Sequence, residues 1–433
     1  TLGFNQPDPG EKHMTTTIPQ RKLTYSDVLR NRNFALLWIG QSISLIGDVV
    51  YFLAINWYIL EKTGSALQIG GNVIFTVISS MIFSSVAGVV ADRWDRRWIM
   101  IFSDLIRGFI LILLLSSILF GIFNLWLIYF ITFALTAVSS FFSPAYQSLI
   151  PILLQKDELM IGRSLNVSSS NLLRATATAF SGVMIAFTGT QTAILINTVS
   201  FFFSATLLAF IKPPQSIQGT KTNKLTFAAF LQDTASGWMY IRSIPVLISL
   251  FILFASTDFG AAFTWPVHAL FAEKVLGGGA ELYGYLSTAS LLGGFAGGYF
   301  IGRYNKWFNQ RPGQSFALAA FLWGCLSIVF SQSTSIPIAL GLRFAIGWSL
   351  SMIHVPIFAL LDATVNDEFR GRVWATLGIG SMVSGSIATF LSGIIADKSS
   401  PRLSYLIAGL ILVLAALLAV LLKPIRSAQI VKE

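Results

Sequence analysis

The chain has 433 residues, of which 54% are apolar and 11% charged, and its mean hydropathy of +0.71 excludes a water-soluble globular domain of this length. The net charge of +10 does not signal nucleic-acid binding, because the basic residues are dispersed along the chain. Apolar runs of about 20 residues recur, too long and too continuous for the alternating strands of a barrel, so they read as membrane-spanning helices.

In chain order the predicted spans cover 34–60, 66–91, 98–121, 125–150, 163–187, 192–211, 244–272, 281–302, 315–331, 336–361, 373–396 and 402–422. The fold class expected is therefore all-α and polytopic, with twelve transmembrane helices in two six-helix halves. The division is a tail (1–32), a first bundle (33–211), a linker (212–243), a second bundle (244–422) and a C-terminal tail (423–433). The first tail is polar, carries Pro7, Pro9 and Pro19, and has no apolar core before a small-residue site, so a cleaved signal peptide is not expected.

Twenty-two of the 29 basic residues fall in the tails and in alternate loops on one side, against Lys62, Lys274, Lys398 and Arg402 on the other. That asymmetry predicts cytoplasmic termini. Arg107, Arg174 and Arg343 lie inside spans. The linker carries Pro213, Pro214, Gly219, Lys221 and Lys224, then Phe227, Phe230, Leu231, Ala235, Trp238 and Ile241 at helical spacing. Two readings fit that spacing, an amphipathic helix on the membrane face or a connector packed on the bundle.

Internal repetition supports two halves. Gly88-x-x-x-Asp92-Arg93-Trp94-Asp95-Arg96-Arg97 is echoed by Gly298-x-x-x-Gly302-Arg303-Tyr304-Asn305-Lys306-Trp307, and Asp48 by Asp258, at the same offset. Gly162-Arg163 matches Gly371-Arg372, and Ser143-Pro144-Ala145-Tyr146 matches Val355-Pro356-Ile357-Phe358, in nearly that register. Duplicated six-helix units occur in transporters that bind substrate near the bilayer midplane between the halves.

Other chemistries lack their residues. There is no G-x-x-x-x-G-K-[ST] phosphate loop and no G-x-S-x-G turn, so neither ATP hydrolysis nor a membrane enzyme is expected, and no cofactor is implied. Cys325 stands alone, and His13, His268 and His354 lack metal-ligand spacing. Ionised groups inside spans carry more information, because each costs about 2.5–3.5 kcal/mol at the bilayer centre.

In the first span Gln41, Ser44, Asp48 and Asn56, with Phe52, form one polar stripe. Asp48 lies roughly 22 Å into the helix, where a carboxyl either exchanges a proton or is tied structurally to a neighbouring helix. Asp104 and Arg107 are three apart and read as a structural ion pair. Asp258 and Arg343 fall at similar depths, roughly 21 Å and 20 Å from the cytoplasmic end, which predicts a pair across the second half. The alternatives are Arg343 reaching the outer surface and Asp258 acting alone, as a proton carrier beside Asp48 or as a substrate site. Small residues at Gly293/Gly297, Gly294/Gly298 and Gly298/Gly302 predict close helix packing.

The loop Gly88–Arg97, with Asp95 where a second glycine is usual, resembles the hallmark motif of the major facilitator superfamily. Gly47-Asp48, Thr63-Gly64-Ser65-Ala66, Asp104-Leu105-Ile106-Arg107, Ser143-Pro144-Ala145 and Gly371-Arg372-Val373 resemble its macrolide-efflux and enterobactin-exporter branch, although Ala177-Thr178 replaces the Gly-Pro pair before Gly182. The resemblance implies a proton-driven exporter in a prokaryotic cytoplasmic membrane, working as a monomer. It implies a gating motif of Gly88, Asp92, Arg93, Arg96 and Arg97, in which Asp92 meets Arg96 or Arg97 and the start of the eleventh span near Arg372. It also implies a central cavity lined by Phe52, Phe133, Phe141, Phe254, Trp348 and Met352, to which Gln41, Ser44, Asn56 and Arg343 add polar candidates.

The function expected is proton-coupled efflux of amphipathic small molecules. Uptake or uniport on the same fold, and a transporter-like sensor, are the alternatives. Reporters fused after Lys432 and near Gly219 are predicted to be cytoplasmic and one between Leu276 and Gly279 external. An external reporter near Gly219 would contradict the two-half topology.

Overall fold

The computed structural model describes residues 24–155, 157–212 and 227–426, and these residues are helical throughout, joined by short turns. Local chemistry sets the first boundaries. Asn31 opens the first span, Arg32–Thr63, by accepting from the backbone N–H groups of Asn33 and Phe34, and Gly64 closes it at a φ of 62°. Ser65 then caps the second span, Ala66–Arg93. Asp95 caps the third, Arg96–Leu119, by accepting from the N–H groups of Arg97 and Trp98. The residue standing in place of the motif's second glycine therefore begins a helix. Asn124 caps the fourth, Leu125–Leu153.

The fifth and sixth spans run together as Leu159–Ala209, separated only at Gly189, whose φ of 79° and ψ of 169° break the helix. The seventh is broken too, into Pro245–Thr264 and Val267–Lys274, at Trp265 and Pro266. The last five spans are Ala280–Arg303, Pro312–Gln332, Ile336–Thr364, Asp367–Lys398 and Pro401–Leu421. Among the described residues ten helices are long and apolar enough to cross a membrane. Dividing one of them at Gly189 and adding the glycine-diluted Ala280–Arg303, roughly 36 Å long at 1.5 Å per residue, gives twelve.

Close approaches inside each half occur where a side chain is missing. A Cβ on Gly47 would stand 2.5 Å from Asn197 Oδ1 and from Ser200 Oγ, so the first and sixth spans touch there. Gly293 faces the carbonyl of Phe344 and Gly297 the indole of Trp348, which brings the eighth span onto the tenth. Gly298 and Gly302, predicted to pack alike, face no atom within 4 Å.

The halves meet unevenly. At the end of the bundle remote from the chain termini, here the far end, Gly70 abuts Thr389, Gly393 abuts Leu67, and a Cβ on Gly182 would lie 2.6 Å from Gly284 Cα. At the opposite, tail end a Cβ on Gly88 or Gly371 would meet nothing within 4 Å. The described contacts between the halves thus lie at the far end, while Gly88 and Gly371 at the tail end have open space beside them.

The linker helix, Phe227–Ser243, packs on the start of the eleventh span. Tyr240 stacks on Phe369 with ring centroids 4.3 Å apart, and a Cβ on Gly237 would lie 2.6 Å from the Arg372 carbonyl. These contacts join the helix to the bundle, while Trp238 and Met239 stay exposed and the side chains of Phe227, Phe230 and Leu231 lie outside the described residues.

Gly293→Ala is predicted to lower thermal stability of the purified protein by about 1–3 kcal/mol through overpacking, while Gly298→Ala leaves it unchanged. Equal melting temperatures for the two variants would contradict the packing described.

Candidate functional site

Three cavities converge on the centre of the bundle. A polar one of about 380 Å³ lies within the first half, lined by Gln41, Ser44, Asp48, Arg107, Tyr146 and Arg174 among others. A second, of about 550 Å³, lies between the halves and is bounded by Asp48, Phe52, Arg174, Trp265, His268 and Arg343. The third, of about 440 Å³, runs between the second, fourth, seventh and eleventh spans, with Phe52 and Trp265 shared with the second. Those two rings touch edge to face at 5.4 Å. The seventh span breaks at Trp265, and this residue lines both cavities.

Asp48 belongs to both the polar and the inter-half cavity. The close approach at Gly47 brings Asn197 within reach, and its Nδ2 donates to Asp48 Oδ1 at 3.3 Å. Arg174 of the fifth span lines the same two cavities and is the functional candidate that sequence reasoning passed over. Its placement inside a span was the available signal. Asp104 and Arg107 form a buried ion pair, with the guanidinium 4.5 Å from the Phe142 ring centroid and 4.3 Å from that of Phe201. Arg107 also lines the polar cavity.

Other candidates sit elsewhere. Asn56 and Met352 are buried in helix packing. Phe133 and Phe141 both pack on Phe83, Phe254 lies against His354 and Phe358, and Trp348 fills the groove left by Gly297 and meets Phe300.

The predicted pair of Asp258 with Arg343 is not formed. Ser381 of the eleventh span donates to Asp258, whereas Arg343 faces the inter-half cavity beside His268 and Tyr283. Equal depth does not fix facing. Successive helical residues turn by about 100°, and Asp258 meets Ser381, which lines the 440 Å³ cavity, while Arg343 lines the inter-half one.

In the gating motif, Arg97 donates through Nε to the Leu208 carbonyl at 2.9 Å and through Nη2 to that of Ala209, closing the C-terminus of the sixth span. It is engaged within its own half rather than across the halves. The side chain of Asp92 lies outside the described residues. A cross-half latch is present at the far end. Asp397, at the end of the eleventh span, accepts from the Ser65 hydroxyl and from the backbone N–H groups of Ala66 at 2.8 Å and Leu67 at 3.3 Å. Lys274 adds a bond to the Gly64 carbonyl at 3.1 Å.

Residues 24–431 match the family described as transmembrane secretion effector. The chain belongs to this family and is a multi-pass transporter of the major facilitator type. It is 22% identical to the uncharacterized MFS-type transporter YvqJ of Bacillus subtilis over 94% of this chain and 96% of that protein. Similarity to macrolide efflux protein A of Streptococcus pyogenes is also 22%, over 91% of this chain and 96% of that one. Among solved structures, a bacterial homolog of the human lysosomal transporter Spinster, inward-facing and unoccupied, superposes with a TM-score of 0.70 at 13% identity, covering 92% of this chain and 98% of that one.

Asp397→Ala removes the acceptors at the far-end seal. A cysteine at Thr76, on the wall of the 440 Å³ cavity, is then predicted to react several-fold faster with an impermeant maleimide applied from the far side. Unchanged labelling would mean that Asp397 does not hold that end shut.

Proposed function

We propose that the protein is a proton-coupled exporter of amphipathic small molecules that works by alternating access, as a monomer in a bacterial cytoplasmic membrane, with the tail end and both termini in the cytoplasm. The observation that carries this reading is the position of Asp48. Its carboxylate lies where the polar cavity of the first half joins the inter-half cavity, so a proton taken up there and a substrate bound there share one neighbourhood. Arg174 borders both cavities as well.

Apolar surface supports the substrate class. Val49, Phe52, Leu53, Trp265, Leu291 and Leu350 make up much of the inter-half wall, which suits a ligand with an apolar body and few polar groups. Similarity to a macrolide efflux protein favours export over uptake. Asp258, bonded to the Ser381 hydroxyl, is the second proton candidate.

In proteoliposomes energised by an imposed proton gradient, uphill movement of labelled erythromycin or ethidium is predicted to fall roughly ten-fold or more in Asp48→Asn, since the proton-exchanging group is gone. Exchange of labelled for unlabelled substrate, which needs no net proton movement, continues. Uphill transport at the original rate in Asp48→Asn would remove the coupling role.

A further inference from the structure

On the second-half wall of the inter-half cavity and directly behind it, four side chains carry polar atoms that make no hydrogen bond within the protein, namely Arg343 Nε, His268 Nε2 and Ser327 Oγ from the lining and Tyr405 OH from the layer behind. They come from four spans, the tenth, seventh, ninth and twelfth, and three of them line the cavity. Tyr405 and Ser327 are fully buried. Aromatic contacts hold the cluster together. Arg343 lies 5.9 Å from the Phe330 ring centroid, Phe330 and Phe271 both pack against Tyr405, and His268 meets Tyr283 edge to face at 5.4 Å.

Among the described residues no carboxylate answers this cation. The ion pairs among the described residues do not include Arg343, and Asp258 is turned toward Ser381. Buried polar groups left unbonded are costly, and an unpaired guanidinium in a membrane interior more so. Such a group is retained at a cost, and each of its three polar neighbours is able to donate. The guanidinium and the two hydroxyls can all donate, and His268 Nε2 donates in one tautomer. A convergent set of donors around a fixed positive charge suits an oxyanion, which a guanidinium holds with charge-assisted hydrogen bonds.

We infer that Arg343, Ser327, Tyr405 and His268 form a subsite for the carboxylate of an amphipathic organic anion, whose apolar body lies along Phe52, Trp265 and Leu350. The inference rests on the proposed transport of amphipathic molecules and narrows their class to anions. Asp48 and Arg174 stand in the first half and border the same cavity, so a bound anion would be in contact with the proton site through the cavity both share.

Binding tests this without transport. The full-length protein in phosphatidylcholine nanodiscs is titrated calorimetrically with decanoate and 2-naphthoate, each against its neutral amide. The acids are expected to bind at least about ten-fold more tightly than the amides, the range for hydrogen bonds to a charged group. Arg343→Gln abolishes the preference, and Ser327→Ala and Tyr405→Phe each reduce it several-fold. Equal binding of acid and amide, or a preference that survives Arg343→Gln, overturns the subsite. Should Arg343→Gln not fold, the two hydroxyl variants decide, and an undiminished preference in both overturns it. An Arg343-dependent acid preference in a protein that exports nothing from proteoliposomes would leave the subsite standing and remove the export reading. Export without any acid preference would do the reverse.

Discussion

The far-end seal is the contact on which the rest of the arrangement depends. The first N–H groups of a helix have no partner within it and carry the positive end of its dipole. At Ala66 and Leu67 those groups are supplied with a carboxylate from the other half of the molecule, Asp397. A helix cap normally comes from the residue preceding the helix, and Ser65 does bond to the N–H of Gln68. Recruiting Asp397 as well ties the beginning of the second span to the end of the eleventh. Both helices cross the bundle, so fixing them together at one end leaves their other ends, with Gly88 and Gly371, free to part. Asp397 is itself exposed to solvent, so water can replace its partners, as a seal that must open requires.

Glycine makes the rest of the seal and makes it separable. Gly182 and Gly284 allow the fifth and eighth spans to touch backbone to backbone, a contact held by van der Waals packing without interlocking side chains. Within each half the corresponding contacts are locked, as where Asn197 and Ser200 fill the space beside Gly47 or where Trp348 lies over Gly297. Two rigid bundles with a smooth shared surface can rock against each other at less cost than either can deform.

The twelve-span plan was legible because apolar runs of helical length leave few alternatives, and the halves because Asp48 and Asp258 fall in one repeat register. Breaks inside runs were less legible. Pro266 marked a break in the seventh span, yet the apolar run continues across it. Gly189 parts the fifth and sixth spans with a single residue where a loop was expected. Asp48 could be singled out from its stripe, but its company could not, because Asn197 and Arg174 reach it from helices far along the chain. The predicted Asp258–Arg343 pair shows the limit most clearly, since depth follows from counting residues while facing depends on how each helix is rotated by its neighbours. Repetition also conceals divergence. The first half surrounds its acid with arginines, whereas the second bonds its acid to a serine and leaves an arginine facing the cavity.

The central claim is that the far end and the tail end of the bundle are alternately closed, with the seal at Asp397 as one of two states. Spin-label distances on one protein in nanodiscs test it most directly, with one pair at exposed far-end positions Lys62 and Lys398 and another at exposed tail-end positions Trp94 and Glu368. The account predicts a short far-end and long tail-end distance in the resting protein, and a second population with the two reversed, which grows when Asp397 is replaced by alanine. Distances that stay fixed at both ends, or that lengthen and shorten together, would contradict it.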